Sequence, residues 1–159
     1  MPDMLVNLLQ LPDENAELMA MRSGGVIIRR ANTFEATAVR TFIESNFSTS
    51  WADEVVPCFS RQPVSIHIAI LEGLIVGFAA AEATCRNFFG PTGVAPQQRG
   101  RGIGRALLIA SLHGLRSSGY AYCIIGGVGP AEFYSKAVGA SLIPDSTPGI
   151  YTDLLGKRS

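Results

Sequence analysis

The stretch that decides the fold is VAPQQRGRGIGRAL, residues 94–107. An apolar run ends at Val94, Pro96 stops it, and a helical apolar pattern begins at Ile103, so the stretch predicts a strand, a turn and a helix start. The free backbone amides of a helix N terminus, with roughly half a unit of positive charge from the helix dipole, attract anions such as phosphate. Alternate glycines leave room for a ligand to approach the backbone closely. These are Gly100, Gly102 and Gly104.

Composition indicates one domain. The chain has 159 residues, of which 47% are hydrophobic and 16% charged, which excludes a disordered chain and favours a compact domain with a substantial core. The low charge is also compatible with self-association as a homodimer. Basic and acidic residues balance at 13 each, so no overall field favours nucleic acid or an anionic membrane. Anion binding must therefore be local, at Arg99, Arg101 and Arg105.

The cysteines point to a reduced setting. Cys58, Cys85 and Cys123 are odd in number and widely spaced, and they predict neither a disulfide framework nor a zinc site. Nothing else suggests a metal. The N terminus lacks a signal-peptide pattern, and no stretch reaches the ~18 apolar residues of a membrane helix. We therefore expect a cytoplasmic protein without a membrane partner.

Periodicity and turn signals predict an α/β (α+β mixed) chain with helices on both faces of a mixed sheet. Residues 1–25 are expected to form an extension of one or two helical turns packed on the body, and residues 26–159 a single domain. Strands are predicted at 26–30, 65–71, 74–82, 88–94 and 120–125, with a late pair around 141–143 and 150–155. Helices are predicted from Asn32 or Thr33, from Ser48 or Thr49, at 102–117 and at 131–138.

The spacing of the glycines excludes two nucleotide-binding folds. A dinucleotide fingerprint needs a third glycine, but counting from either glycine pair that position holds Leu107 or Arg105. The G-x-x-x-x-G-K-[ST] pattern of a P-loop is absent from the sequence. A glycine-rich turn with solvent-facing arginines and no ligand stays open as the structural alternative.

Three segments carry a resemblance to a known family. Arg99-x-x-Gly102-x-Gly104 resembles the [QR]-x-x-G-x-[GA] signature of the GNAT superfamily of acetyl-CoA-dependent N-acyltransferases. Val94-Ala95-Pro96 is similar to its strand-ending V-x-P. FYSKAVGA, residues 133–140, resembles its F-Y-x-K-x-G-F segment, with one extra residue before the glycine and alanine in place of the aromatic. The resemblance covers about residues 26–155, and the whole pattern looks like a bacterial subgroup of poorly defined substrate.

The resemblance implies a GNAT-like fold and acetyl-CoA as cosubstrate. Its sheet would be mostly antiparallel, with central strands ending near Val94 and Ile125 that splay apart around acetyl-pantetheine. Many relatives place a coenzyme-binding asparagine before the F-Y helix. This sequence has VGP at 128–130, so that contact is absent or made by backbone. The coenzyme-binding residues implied are Thr92, Gly93, Val94, Arg99, Gly100, Arg101, Gly102, Ile103, Gly104, Arg105 and Phe133.

The resemblance also implies a reaction. Tyr134 matches the family's general acid, which protonates the departing thiolate. An amine of pKa ~10.4 is deprotonated only to about one part in several thousand at neutral pH, a penalty of roughly 4 to 5 kcal/mol that a base or desolvation must offset. Glu82 and Glu54 are the candidate bases, since their segments flank the acceptor cleft in such a fold.

The expected function is N-acetylation of a small primary amine by direct attack. An amino sugar is favoured as acceptor because its amine is less basic. A noncatalytic acyl-CoA-binding module and a protein or peptide N-acetyltransferase remain as alternatives.

Overall fold

The computed structural model describes residues 1–156 of the chain, so the last three residues of the predicted domain lie outside the described part. The strands are β1 Met4–Asn7, β2 Val26–Arg30, β3 Ile66–Leu71, β4 Leu74–Ala81, β5 Phe88–Val94, β6 Tyr122–Ile125 and β7 Ser141–Leu142. The helices are α1 Glu14–Ser23, α2 Ala36–Asn46, α3 Thr49–Glu54, α4 Ile103–Ser117 and α5 Ala131–Val138. Short 3-10 turns lie at Leu8–Gln10, Thr33–Glu35, Val56–Ser60 and Pro96–Gln98.

The strands form one seven-stranded sheet in the order β2-β3-β4-β5-β6-β1-β7. Every neighbouring pair is antiparallel except β5 and β6, which are parallel. The predicted α/β fold with a mostly antiparallel mixed sheet is therefore confirmed.

Different helices cover the two faces of the sheet. One face packs against α1, α4 and α5, and the other against α2 and α3. Along β3 the side chains alternate between them, with Ile66 and Ile68 facing α2 and α3 and Ala69 facing α4. Helix α4 buries nine side chains and forms the centre of its layer.

Local signals located most of the helix starts correctly. Asn32 and Glu35 form a reciprocal capping box ahead of α2, and the Ser48 hydroxyl accepts a hydrogen bond from the Trp51 amide (3.2 Å) at the start of α3. Helix α4 begins at Ile103, directly after the glycines. These features depend on neighbouring residues alone, which is why the sequence predicts them.

The N-terminal segment differs from the predicted helical turns. Met4–Asn7 is a strand that pairs antiparallel with β6 on one side and with β7 on the other. Met4 and Val6 are buried, and Asp13, one residue after Pro12, caps α1. Met4, Leu5 and Val6 are all apolar, so the sequence shows no alternation that would indicate a strand here. The division at residue 25 stays a prediction, although β1 lies inside the sheet of the main body.

The second strand of the predicted late pair was wrong. Ser141–Leu142 forms β7, but residues 150–155 form no strand. Strand β1 already occupies the position between β6 and β7, so these residues have no open place inside the sheet. They cross instead toward α3, where the Tyr151 hydroxyl donates a hydrogen bond to the Glu54 carboxylate (2.6 Å).

An aromatic cluster fastens the α2–α3 connection to β5. The Phe47 ring lies 5.6 Å from that of Phe78 and 5.4 Å from that of Trp51, measured between centroids. The ring of Phe47 also covers Gly93, where a Cβ atom would lie 2.4 Å from its Cζ. Gly93 therefore allows the cluster to pack directly on the strand.

We expect Gly93→Ala to destabilise the fold by about 1–3 kcal/mol, because the added methyl group displaces a packed ring. The measurement is urea-induced unfolding followed by circular dichroism. Gly129→Ala is the matched control, since a Cβ there would meet nothing within 4 Å, and its effect should stay within about 0.5 kcal/mol. Equal stabilities of the two variants would contradict this packing.

Candidate active site

The central feature of the site is the gap between β5 and β6. The two strands pair only at Phe88–Ile124 and Phe89–Ile125. The Gly126 amide then donates to the Phe89 carbonyl (3.3 Å), and beyond it the strands part. On its other edge β5 stays paired with β4 as far as Val94. The expected splay is present, and the edge of β5 that faces the gap has no strand partner within residues 1–156.

A cavity of about 600 Å³ occupies this gap, a size typical of small-molecule sites. Backbone forms much of one wall, at Gly126, Gly127 and Gly129. Aromatic and apolar side chains form much of the rest, so that the cavity, here called the cleft, is lined mainly by nonpolar groups. The side chains include those of Met1, Trp51, Phe89, Pro91, Ile125, Pro130, Tyr134, Pro148, Tyr151 and Leu154.

Tyr134 lies in the first half of α5 and lines the cleft. Its side chain is only 7% exposed and packs edge-on against Phe89, with ring centroids 6.4 Å apart. Burial raises the pKa of Tyr134, so the hydroxyl keeps its proton at neutral pH. The arrangement presents one protonated hydroxyl to a largely apolar cavity.

Glu54 reaches the same cleft through its contact with Tyr151. Its Oε1 accepts hydrogen bonds from the Tyr151 hydroxyl (2.6 Å) and from the Thr84 hydroxyl. Tyr151 itself lines the cleft, and burial together with the bond to Glu54 raises its pKa. A carboxylate is thereby held against a cleft-lining side chain.

Glu82 lies elsewhere. Its Oε1 accepts from the Asn87 amide (3.1 Å), and its side chain lines a second pocket beneath the second half of α4. Tyr134 therefore lines the cleft, Glu54 contacts the cleft-lining Tyr151, and Glu82 lines another pocket.

The glycine-rich turn, residues 99–104, has the backbone that the sequence implies. Gly100 and Gly102 have φ angles of +80° and +81°, in the left-handed region where glycine is favoured. The first hydrogen bond of α4 runs from the Ala106 amide to the Gly102 carbonyl (3.1 Å), and no side chain caps the helix among residues 1–156. The amides before Ala106 lack helical hydrogen-bond partners, which is the geometry of an anion-binding site at a helix N terminus.

The arginines of the turn are engaged with protein groups. Arg99 donates to the Val94 carbonyl (3.2 Å), and Arg101 contacts the Gln98 side chain and the Gly24 carbonyl. Arg105 forms an ion pair with Glu17 of α1 (3.0 Å). Within residues 1–156 these contacts leave other guanidinium N–H groups free, so the turn offers both backbone amides and arginine side chains as donors to a ligand.

Three other side chains, those of Phe133, His113 and Cys123, have contacts or burial that fit a role in holding the fold together. Phe133 is 37% exposed beside Tyr134, and His113 bonds the Pro12 carbonyl through Nε2 (2.7 Å). Burial raises the pKa of Cys123 to about 12, so it stays a thiol.

The part of the chain described, 1–156, holds no group of three or more potential metal ligands. None of its helices has the length and apolar character needed to span a membrane.

Sequence reasoning missed the residues that complete the cleft. Asp3 accepts a hydrogen bond from the Gly127 amide (2.8 Å), and its own amide donates to the Ser146 hydroxyl (2.8 Å). This buried carboxylate ties the cleft wall to both ends of the described chain. Among the residues that line the cleft, Trp51 is the only tryptophan of the sequence, and this is the one feature that could have marked it as a site residue. Tyr151 lies in the segment 150–155, which is predicted to be a strand and does not form one.

Comparisons with known proteins agree with this geometry. A family model described as "Acetyltransferase (GNAT) family" matches residues 32–139. No curated protein matches the chain.

Solved structures at low identity share the fold. A glucosamine N-acetyltransferase region of a fungal multi-domain beta-N-acetylglucosaminidase matches with TM-score 0.73 at 17% identity, over 89% of this chain and 19% of that one. A GCN5-related N-acetyltransferase from Sphaerobacter thermophilus matches with TM-score 0.63 at 20% identity, over 89% and 48%. A GNAT family acetyltransferase from Brucella melitensis in complex with acetyl-CoA matches with TM-score 0.52 at 23% identity, over 68% and 80%. The chain thus spans about a fifth and about half of the first two proteins.

Proposed function

The chain belongs to the acetyltransferase (GNAT) family, and from that membership we propose that it transfers an acetyl group from acetyl-CoA to the primary amine of a small molecule. The observation that carries the proposal is the protonated, 7% exposed Tyr134 in the cleft between two parted strands. A similar structure, from Brucella melitensis, is a complex with acetyl-CoA, which supports the choice of cosubstrate.

The coenzyme is proposed to enter through the glycine-rich turn. Its pyrophosphate binds backbone amides of the turn at residues 99–104, next to the helix start, where the amides of residues 103–105 precede the first helical hydrogen bond. Its pantetheine arm follows the free edge of β5 at residues 92–94, pairing with the backbone in place of a strand. Arg105, held by Glu17, positions the first turn of α4. We assign Phe133 the role of outer wall beside Tyr134.

The chemical step proposed is direct attack. The amine nitrogen bonds to the thioester carbonyl carbon, the carbon–sulfur bond breaks, and Tyr134 gives its proton to the departing sulfur. Burial keeps Tyr134 protonated, and because a thiolate (thiol pKa ~8.5) is a weaker base than tyrosinate, the hydroxyl acts first by hydrogen bonding to the developing sulfur anion and gives up its proton late. The hydroxyl is reprotonated from solvent after the products leave.

Glu54 is the base that we propose to take the proton of the attacking amine. It contacts Tyr151, a cleft-lining residue, whereas Glu82 lines a different pocket. Only Oε1 of Glu54 accepts the hydrogen bonds from Tyr151 and Thr84, so Oε2 is the oxygen assigned to the amine. An ammonium group entering beside this carboxylate is also attracted by its charge.

The lining of the cleft favours an acceptor amine with an apolar or aromatic body. Trp51, Tyr151 and Leu154 are the side chains that would contact it. An amino sugar, favoured by its less basic amine, is the competing substrate, and the fungal glucosamine N-acetyltransferase region is a reason to include glucosamine in a substrate panel. A peptide amine belongs in the same panel.

We expect Gly100→Glu to weaken acetyl-CoA binding at least about tenfold, because a carboxylate at the turn repels the pyrophosphate. The measurement is isothermal titration calorimetry. Gly119→Glu is the matched control: its φ of +107° is also positive, and a Cβ at either glycine meets nothing within 4 Å. Residue 119 follows the far end of α4, about 22 Å along the helix axis from its start. The acetyl-CoA affinity of Gly119→Glu should therefore stay within twofold of the wild-type value. Unchanged affinity in both variants means that the pyrophosphate binds elsewhere.

Tyr134→Phe is expected to lower kcat by about 10²-fold or more, because the departing thiolate loses its proton donor. The measurement is thiol release from acetyl-CoA with the best amine of the panel. The affinity for acetyl-CoA should change less than twofold, since the ring remains. Full turnover by the variant would remove Tyr134 from the mechanism, and wild-type protein that binds acetyl-CoA without acetylating any amine would favour the noncatalytic module.

Glu54→Gln is expected to lower kcat/KM at pH 7 by about 10²-fold, because the amine loses its base. The loss should shrink as the pH rises toward the amine pKa of ~10.4, where the substrate deprotonates without help. Glu82→Gln is the matched control, with the same isosteric change in another pocket, and should stay within twofold. The reverse pattern, with Glu82→Gln impaired and Glu54→Gln normal, would transfer the role of base to Glu82.

A further inference from the structure

The second pocket, in which Glu82 lies, has a composition that the proposed reaction does not explain. It has a volume of about 90 Å³ and lies between the ends of β2, β3 and β4 and the second half of α4. We call it the α4 pocket. Besides Glu82, its polar lining residues are Arg30, Arg61, Gln62, Ser65, His67, Ser111 and Ser118.

Three buried polar atoms of the α4 pocket have no hydrogen-bond partner within residues 1–156. They are the Ser111 hydroxyl oxygen, His67 Nδ1 and Arg61 Nε. Ser111 is 1% exposed and His67 is 6% exposed. A guanidinium nitrogen can only donate, a hydroxyl can donate, and Nδ1 of a neutral imidazole donates in one of its two tautomers. All three atoms can therefore act as donors, and leaving them unpaired is unfavourable.

Two positively charged side chains, Arg30 and Arg61, line the α4 pocket. The half-buried Arg30 donates to the Val64 carbonyl (2.7 Å), and its outer nitrogen lies 2.8 Å from where a Cβ on Gly114 would be. His67 Cε1 is 3.4 Å from that point, so the guanidinium and the imidazole are neighbours above α4. No carboxylate of the described chain approaches Arg30 or Arg61 within the 4.0 Å of an ion pair.

The nearby carboxylates neutralise the charge of the two arginines only in part. Glu82 lies at the pocket with its carboxylate bonded to the Asn87 amide, and it raises the pKa of the neighbouring Tyr120. Glu14 attracts Arg30 from beyond ion-pair distance. Burial lowers the pKa of His67 to about 3, so the imidazole is neutral and the charge belongs to the arginines.

We propose that the α4 pocket binds a small monovalent anion, such as chloride or bromide, between Arg61, His67 and Ser111, with Arg30 as the second cation. Buried donors without an acceptor of their own within residues 1–156, together with two arginines around one pocket, favour an anion over a cation. The volume corresponds to the share of about three water molecules, which suits a small ion. The site is independent of the acetyl transfer proposed above, because it lies under α4 and outside the cleft.

Binding an anion between α4 and the sheet stabilises the folded chain by mass action. At constant ionic strength, with chloride replacing gluconate, the unfolding constant of wild-type protein should fall about tenfold for each tenfold rise in chloride above its dissociation constant. The measurement is urea-induced unfolding at pH 7.5. Arg61→Met is expected to lose this dependence while keeping an apolar stem. Arg116→Met, an exposed arginine at the end of α4 outside the pocket, should keep it.

A second measurement decides the matter if Arg61→Met does not fold. Wild-type crystals grown in bromide should show an anomalous peak within hydrogen-bond distance of Arg61 Nε and the Ser111 hydroxyl, and Ser111→Val crystals should lack it. Density for water alone, without an anomalous signal, overturns the proposal. So does an unfolding constant that responds equally to chloride and gluconate, or an Arg61→Met variant with the full chloride dependence.

Discussion

The parting of β5 and β6 after two paired positions is the constraint on which the site depends. Pro91 has no amide hydrogen to donate, and Gly90 has a φ of +122°, outside the extended range of a strand residue. On the opposite strand Gly127 also has a positive φ of +57°. Neither chain can continue the ladder past this point. The gap is thus a consequence of backbone chemistry at two short segments, and the cleft is the space that it leaves.

The parallel direction of this one pair determines what meets at the gap. Parallel strands end at the same edge of a sheet, so the segments that follow β5 and β6 leave from the same edge. After β5 the chain forms the glycine-rich turn and begins α4, and after β6 it begins α5, which carries Tyr134. Helix-start amides and a protonated hydroxyl are therefore brought to one edge of the sheet by topology. The remaining antiparallel strands support the pair on both sides.

What the sequence predicted correctly was local, and what it missed was distant along the chain. The capping box at Asn32, the hairpin of β3 and β4 and the start of α4 each depend on residues a few positions apart. Strand β1 is four residues long and pairs with a strand more than a hundred residues away, so no periodic signal marks it. The ion pair of Arg105 was missed for a similar reason, because its partner Glu17 lies 88 residues away in the sequence.

The site shows the same division between local and distant information. The signature residues predicted the turn and Tyr134, whereas the choice between Glu54 and Glu82 depends on which pocket each side chain enters. Glu54 lies in a predicted helix and Glu82 ends a predicted strand, and the sequence around each is compatible with a place beside the cleft. Contacts with Tyr151 and with Asn87, formed only by the fold, are what separate them.

Helix α4 connects the open turn to the stability of the whole domain. Its N terminus has glycine in the left-handed region at the cap and no capping side chain within residues 1–156, a loss of roughly a few tenths of a kcal/mol relative to a good cap. Nine buried side chains offset that loss, since a fully buried large apolar residue contributes about 1.5–3 kcal/mol. The helix therefore forms without a cap of its own. An anion bound at the turn then supplies the missing hydrogen-bond acceptor, so that ligand binding and helix capping become the same interaction.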